Sequence, residues 1–201
     1  NIDGYKPAKN LTLVYDKNSK LSNKDLVNKL RSFYPNTEDF VENENVENGY
    51  INPDGSIVFI RVENEWKIIL ISEHKSQGTN KLRLEEGKPE QAMGNAVERA
   101  GKNIAFIRSY MCDEDITPYC LFFEGCDFHK GSSIRGRLFS MNDGHGFNKI
   151  NSYVKRYRNN ILRPLSMFVR ENSWQLKEIV SILTDTANES LKYYTNKYFH
   201  S

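Results

Sequence analysis

The run Trp66-Lys67-Ile68-Ile69-Leu70-Ile71-Ser72 constrains the fold of this 201-residue chain more than any other segment. It is nearly all apolar yet far shorter than a bilayer span, so it reads as a strand covered on both faces. Such a strand lies inside a sheet, with other layers above and below it. Upstream, Ser56-Ile57-Val58-Phe59-Ile60 is rich in β-branched residues and reads as a second strand, with Glu63-Asn64-Glu65 as the polar turn between them. The pair predicts a hairpin. Ile51-Asn52-Pro53-Asp54-Gly55, just ahead of it, has turn chemistry.

Around this hairpin the pattern is mixed. Leu26, Val27 and Leu30 at helical spacing predict a helix over 22–33, and the polar, acidic residues after Pro35 predict a loop up to Gly49 holding at most a short helix. After Lys75 a polar loop is expected through Pro89. Ala92, Val97, Ile104, Ile107 and Met111 then mark an amphipathic helix over 90–110, interrupted in propensity by Gly94 and Gly101. Tyr119-Cys120-Leu121-Phe122-Phe123-Glu124 predicts a third strand closed by Gly125, and a loop rich in Gly, Ser and Arg is expected after it. Residues 151–160 predict a basic helix, ended by Pro164. Leu176, Ile179, Val180, Leu183, Ala187 and Leu191 give a packing stripe over 174–194. Trp66 and Trp174 are expected as core anchors. The order of hairpin, helix, strand and helices predicts one mixed α/β (α+β-like) domain over 1–201, a central sheet flanked by helices.

Composition narrows the class. With 38% hydrophobic and 12% aromatic residues the chain has enough apolar surface to fold. Cys112, Cys120 and Cys126 leave one thiol over in any disulfide scheme and lack zinc-site spacing, so free thiols in a reducing compartment are expected. No apolar run reaches a bilayer span, and residues 1–10 lack a signal-peptide core, so no membrane partner is expected. The chain starts without Met, and its N-terminal part is expected to be incomplete. Net charge is only +2 but is unevenly spread. Residues 36–65 hold eight acidic and one basic side chain (−7), and residues 127–170 nine basic and two acidic (+7). The halves read either as ordinary solvated faces or as a cation-holding stretch beside a nucleic-acid surface.

Local chemistry bears on that choice. Period-two geometry puts Glu73 and Lys75 on one face of the second strand, with His74 on the other. A hairpin turn near Asn64 brings Asp54 across from Glu73. Two carboxylates so close favour a cation between them, and their hard oxygens suit Mg²⁺. A lysine there could hold or help deprotonate a water and offset charge on phosphorus oxygens. Spacing alone leaves a solvent-facing ion pair as the default reading and a metal site as the alternative.

The ordered segments then carry a resemblance. Asn52-Pro53-Asp54-Gly55, Ile71-Ser72-Glu73-His74-Lys75-Ser76-Gln77-Gly78, Gly94-Asn95-Ala96-Val97-Glu98-Arg99 with Lys102-Asn103-Ile104, and Leu121-Phe122-Phe123-Glu124-Gly125 together resemble the EcoRI-like type II restriction endonucleases of the PD-(D/E)XK nuclease superfamily. The resemblance covers residues 51–128. It implies a restriction-endonuclease-like fold and a prokaryotic, cytoplasmic homodimer that cuts double-stranded DNA at a short palindrome, leaving 5′-phosphate ends. It implies Mg²⁺ held by Asp54, Glu73 and the His74 backbone carbonyl, with Lys75 as the catalytic lysine. A same-fold repair or transposition nuclease, and an inactive DNA-binding protein, are the alternatives.

Asn95, Glu98 and Arg99 fall at i, i+3 and i+4, nearly one helical face, and can address adenine, exocyclic amino groups and purine acceptors. With Ala96 and Gln91 they are the base-reading residues the resemblance implies, for a site with an AATT core. Gln91 stands where the family has a pyrimidine-contacting Met, and the stretch 79–89 is shorter than in the family. Lys81, Arg83, Lys88, Arg135, Arg137, Lys149, Arg156 and Arg158 are expected at the DNA backbone or outer bases. His129 and His145 are isolated, and Glu124 is expected to support the core or Arg99.

Overall fold

The computed structural model describes residues 12–16, 20–35, 49–62, 64–89 and 95–199. Most of the predicted acidic loop, Glu63 of the predicted turn and residues 90–94, Gln91 included, lie outside them. In chain order the elements are strands β1 (Thr12–Asp16) and β2 (Leu21–Ser22), helix α1 (Asn23–Phe33), and strands β3 (Tyr50–Ile51), β4 (Ser56–Val62) and β5 (Glu65–Ser76). Helices α2 (Thr79–Glu85) and α3 (Asn95–Tyr110), strand β6 (Tyr119–Glu124), a 3₁₀ turn (Cys126–Phe128) and helix α4 (Ser133–Met141) come next. Strands β7 (Lys155–Tyr157), β8 (Asn160–Leu162) and β9 (Ser166–Arg170) and helix α5 (Leu176–Phe199) complete the chain.

The central sheet has the order β1-β4-β5-β6-β9. β4 pairs antiparallel with β1 and β5, whereas β5-β6 and β6-β9 are parallel, so the sheet is mixed. The α+β class with a central mixed sheet and flanking helices is therefore as expected, and β5 lies in its middle. Its seven residues from Lys67 to Glu73 are all buried. Alternation along the strands divides the core. Ile69 and Ile71 of β5, Tyr119, Leu121 and Phe123 of β6, and Met167 and Val169 of β9 meet Val97, Ala100, Ile104 and Ile107 of α3. On the opposite face Leu70, Cys120, Phe122 and Phe168 meet Trp174, Ile179, Leu183 and Ala187 of the C-terminal segment. Both sheet faces are thus covered, which is why the β5 run is apolar without alternation.

Several elements differ from the sequence expectation. Residues 79–85 form α2 rather than loop, although only Asn80 of this helix is buried. A buried carboxylate from elsewhere in the chain organises it: Asp127 accepts from the Thr79 and Asn80 N–H groups (3.2 and 2.8 Å) and from the Gln77 side chain (3.0 Å). The expected Gly-Ser-Arg loop contains α4, whose first turn is capped by the Ser132 hydroxyl accepting from Arg135 N–H at 3.1 Å. The expected basic helix over 151–160 is instead the β7-β8 hairpin, with Arg158 at φ 48° in its turn. Trp66 is 52% exposed and does not anchor the core, because it falls in the exposed first two residues of β5, beside the hairpin turn. Trp174 does pack, edge-on to Phe122 and Phe168. Cys112, Cys120 and Cys126 are free thiols, and burial pushes Cys120 up to about 12.

Candidate active site

β5 is where the sheet turns from apolar to ionic. The hairpin register pairs Ser56 with Ser72, and the Gly55 N–H then donates to the Ser72 carbonyl at 3.1 Å. A Cβ on Gly55 would lie 2.5 Å from that carbonyl oxygen, so only glycine lets the turn close this tightly. The turn thereby delivers Asp54 beside the end of β5. Glu73 and Lys75 share a face, as period two requires, and that face is the one covered by α3.

The three side chains meet. Lys75 Nζ lies 2.8 Å from Glu73 Oε1 and also contacts Asp54 Oδ2, so one ammonium bridges both carboxylates. The Glu73 side chain is fully buried, Lys75 is 11% exposed and Asp54 is 57% exposed, so the site opens on the Asp54 side. Burial works to lower the Lys75 pKa, but the hydrogen bonds and charges of Asp54 and Glu73 outweigh it and hold the ammonium above its ordinary value.

A carboxylate buried this fully needs other donors, since an unpaired buried charge is costly by several kcal/mol or more. Asn103 Nδ2, from α3, donates to both Glu73 oxygens (3.1 and 3.0 Å), and the Tyr119 hydroxyl, from β6, donates to Oε2. Tyr119 is itself buried, and its phenol is pushed well above its usual pKa by desolvation first and by Glu73 second. Sequence reasoning did not single out these two residues as site partners. Asn103 did carry a signal, because it interrupts the edge of the Val97, Ala100, Ile104, Ile107 face with a polar side chain. Tyr119 carried none, being one more aromatic at the start of an apolar strand.

His74 points to the opposite face, where Nε2 lies 3.3 Å from Glu124 Oε2. Glu124 also accepts from Ser76 Oγ (2.9 Å) and Trp174 N–H (2.7 Å). Burial works to raise its pKa, yet these donors outweigh it and lower it. Glu124 thus ties the end of β5 to the segment entering α5.

Asn95, Glu98 and Arg99 are all exposed at the start of α3, with Ala96 half-buried between them. Glu98 pairs with Lys102 at 2.8 Å along the helix. Lys81 and Arg83 lie on α2, with Arg83 Nε donating to the Pro89 carbonyl at 2.8 Å; Lys88 pairs with Glu86 at 2.7 Å. Arg135 and Arg137 are on α4, and Arg135 is engaged by the Phe128 carbonyl (3.1 Å) and the Phe147 ring (5.1 Å). Lys149 is exposed, and Arg156 and Arg158 are exposed on the β7-β8 hairpin, Arg156 against Asp115. The basic residues are therefore spread over α2, α4, the β7-β8 hairpin and loop positions 88 and 149 rather than gathered on one helix. His129 and His145 contact backbone carbonyls (3.1 Å each), and no group of three or more His, Cys, Asp or Glu side chains suited to a metal occurs among the described residues.

Comparison with known proteins places the chain in a family. A family described as "Restriction endonuclease EcoRI" matches residues 8–137, more than half of the chain, including Asp54, Glu73, Lys75, Asn103 and Tyr119. Type II restriction enzyme EcoRI of Escherichia coli is 38% identical over 92 residues, covering 41% of this chain and 33% of that protein. Type II restriction enzyme RsrI of Cereibacter sphaeroides is 34% identical over 125 residues, covering 58% of this chain and 44% of that protein. The chain thus spans less than half the length of either curated relative.

Proposed function

The chain belongs to the EcoRI restriction endonuclease family, and from that premise we propose that it is a type II site-specific deoxyribonuclease. It hydrolyses double-stranded DNA at a short palindrome with an AATT core, leaves 5′-phosphate ends, depends on Mg²⁺ and works as a homodimer. The observation that carries the reading is the single ammonium of Lys75 held between Asp54 and Glu73 at the open end of a buried strand.

The donor set suits magnesium. Mg²⁺ uses one or two carboxylates and fills the rest of its octahedron with waters and substrate phosphate, so a third acidic side chain is not required. Asp54 and Glu73 supply the carboxylates. The Ser72 carbonyl faces β4, where it accepts from Gly55. Alternation directs the His74 carbonyl to the same side, beyond the point where β4 has begun, so it is available as a third oxygen. When bound, the ion polarises a phosphoryl oxygen and lowers the pKa of a coordinated water.

The chain's own residues do the rest. Lys75, kept protonated by its two partners, places positive charge where the scissile phosphate gathers negative charge. Glu73 is immobilised by its buried partners, and Asp54 is the exposed carboxylate the substrate meets first. Asn95, Glu98 and Arg99 offer acceptors and donors to base edges from one exposed helix start, with Ala96 between them, and Gln91 is assigned to the same base-reading set. Lys81, Arg83, Lys88, Arg135, Arg137, Lys149, Arg156 and Arg158 supply phosphate or outer-base contacts, which fix register on the duplex.

The test is digestion of a long, fully sequenced DNA in Mg²⁺, followed by sequencing of the ends. One recurrent palindrome with an AATT core is expected. Random ends would point to a repair-type nuclease, and intact DNA to a binding protein; either result would contradict the proposal.

A further inference from the structure

Glu73 is held asymmetrically. Its Oε1 faces Lys75 and, through that ammonium, Asp54; its Oε2 is turned inward to the Tyr119 hydroxyl. The Asn103 amide spans the two oxygens from above (3.1 and 3.0 Å). A carboxylate offers about four lone-pair positions: Asn103 and Tyr119 hold three of them from within the core, and the fourth, on Oε1, faces Lys75 at the open side of the site, where the ammonium can yield it to a cation. Each donor comes from a different element of the core: β5, α3 and β6. The carboxylate can neither rotate nor rock without leaving a buried donor unpaired.

We infer that Tyr119 and Asn103 are positioning residues that set the Glu73 carboxylate edge-on to the site, leaving Oε1 as its one oxygen for a cation and so favouring Mg²⁺ over the larger Ca²⁺. The inference rests on the reading of Asp54 and Glu73 as metal ligands. Mg²⁺ demands a compact octahedron in which a carboxylate gives one oxygen, whereas Ca²⁺ readily takes both oxygens at longer distance. To bind in two-oxygen fashion, Glu73 must draw Oε2 away from Tyr119 and leave a phenol O–H, itself without solvent exposure, with no acceptor. The core thus penalises the ion that prefers that mode. Partners of this kind orient a ligand without touching the metal, and their removal alters metal affinity by about 10–100-fold.

The experiment reads metal binding without turnover. Mn²⁺ bound to the chain is followed by electron paramagnetic resonance and displaced by Mg²⁺ or Ca²⁺, and the ratio of the two midpoints is compared among variants. Tyr119→Phe keeps the ring in the core and removes only the donor. Asn103→Ala lies half-buried on a helix surface and tests the same grip if Tyr119→Phe fails to fold. The ratio is expected to shift toward Ca²⁺ by about tenfold in Tyr119→Phe and by about threefold in Asn103→Ala. A ratio within about twofold of the unaltered chain in the folded variants overturns the inference. Mn²⁺ binding that is indifferent to Glu73→Gln would overturn the metal-site reading itself, and this inference with it.

Discussion

The two ends of β5 carry nearly the same arrangement to different ends. At the site, Lys75 bridges the buried Glu73 and the exposed Asp54. At the strand's start, Lys67 bridges the buried Glu114 (3.2 Å) and the exposed Glu65 (2.7 Å). What differs is the charge balance. Glu114 also receives Lys197 from α5 at 2.5 Å and the Tyr193 hydroxyl at 2.9 Å. Glu65 and Glu114 against Lys67 and Lys197 sum to −2 + 2 = 0, a cluster that is electrically closed. Asp54 and Glu73 against Lys75 sum to −2 + 1 = −1, and Glu73 gets its remaining donors from the neutral Asn103 and Tyr119. A lysine between two carboxylates is thus not enough by itself to mark a site. Residual negative charge on an open edge, next to an exposed helix start, is what suits a cation and a phosphate.

Variants at the two glutamates sharpen the contrast most. Glu73→Gln is expected to lower cleavage in Mg²⁺ by about 10²–10³-fold. Glu114→Gln should leave cleavage intact and instead cost about 2–3 kcal/mol, because it removes the buried negative charge that Lys67 and Lys197 share. Single-turnover cleavage and denaturant unfolding of both variants separate the cases; matching profiles would erase the distinction. Next in size, Arg99→Ala is expected to reduce discrimination between target and mismatched duplex by about 10–100-fold, read from competitive cleavage. An unchanged preference would remove Arg99 from base reading.

The smallest effect is in pH. Lys67, Lys75 and Lys197 are each opposed by burial yet raised by their carboxylate partners. A raised lysine contributes stability that is full below its unfolded pKa of about 10.4 and is lost as pH rises through the folded value. Unfolding free energy should therefore stay level with respect to these groups through neutral pH and fall in strong alkali. Lys67→Met should flatten part of that fall. A fall of the same size in that variant would show that the closed cluster is not its source.

The legible parts of the fold were those whose signal is local. The β4-β5 hairpin, β6, α3 and α5 are written as apolar runs or stripes, and the meeting of Asp54, Glu73 and Lys75 follows from hairpin register. Elements ordered from a distance were not legible. α2 has a single buried residue of its own and is organised by Asp127, more than forty residues later. The β7-β8 hairpin lies outside both core clusters and turns on a non-glycine residue at positive φ, so its basic composition mimicked a helix. β9 was hidden by the nearby Pro164. In the site, the charged members announced themselves by type, whereas Asn103 and Tyr119 matter only because α3 and β6 pack on the same sheet face as Glu73.

The most direct test of the cutting centre is Lys75→Ala, on a duplex carrying the sequence recovered from the digest. Binding of that duplex without divalent ions should stay within a few-fold of the unaltered chain, while single-turnover cleavage in Mg²⁺ falls by about 10²–10³-fold or more. Cleavage near the unaltered rate would contradict the assignment of Lys75, and with it the account of the site.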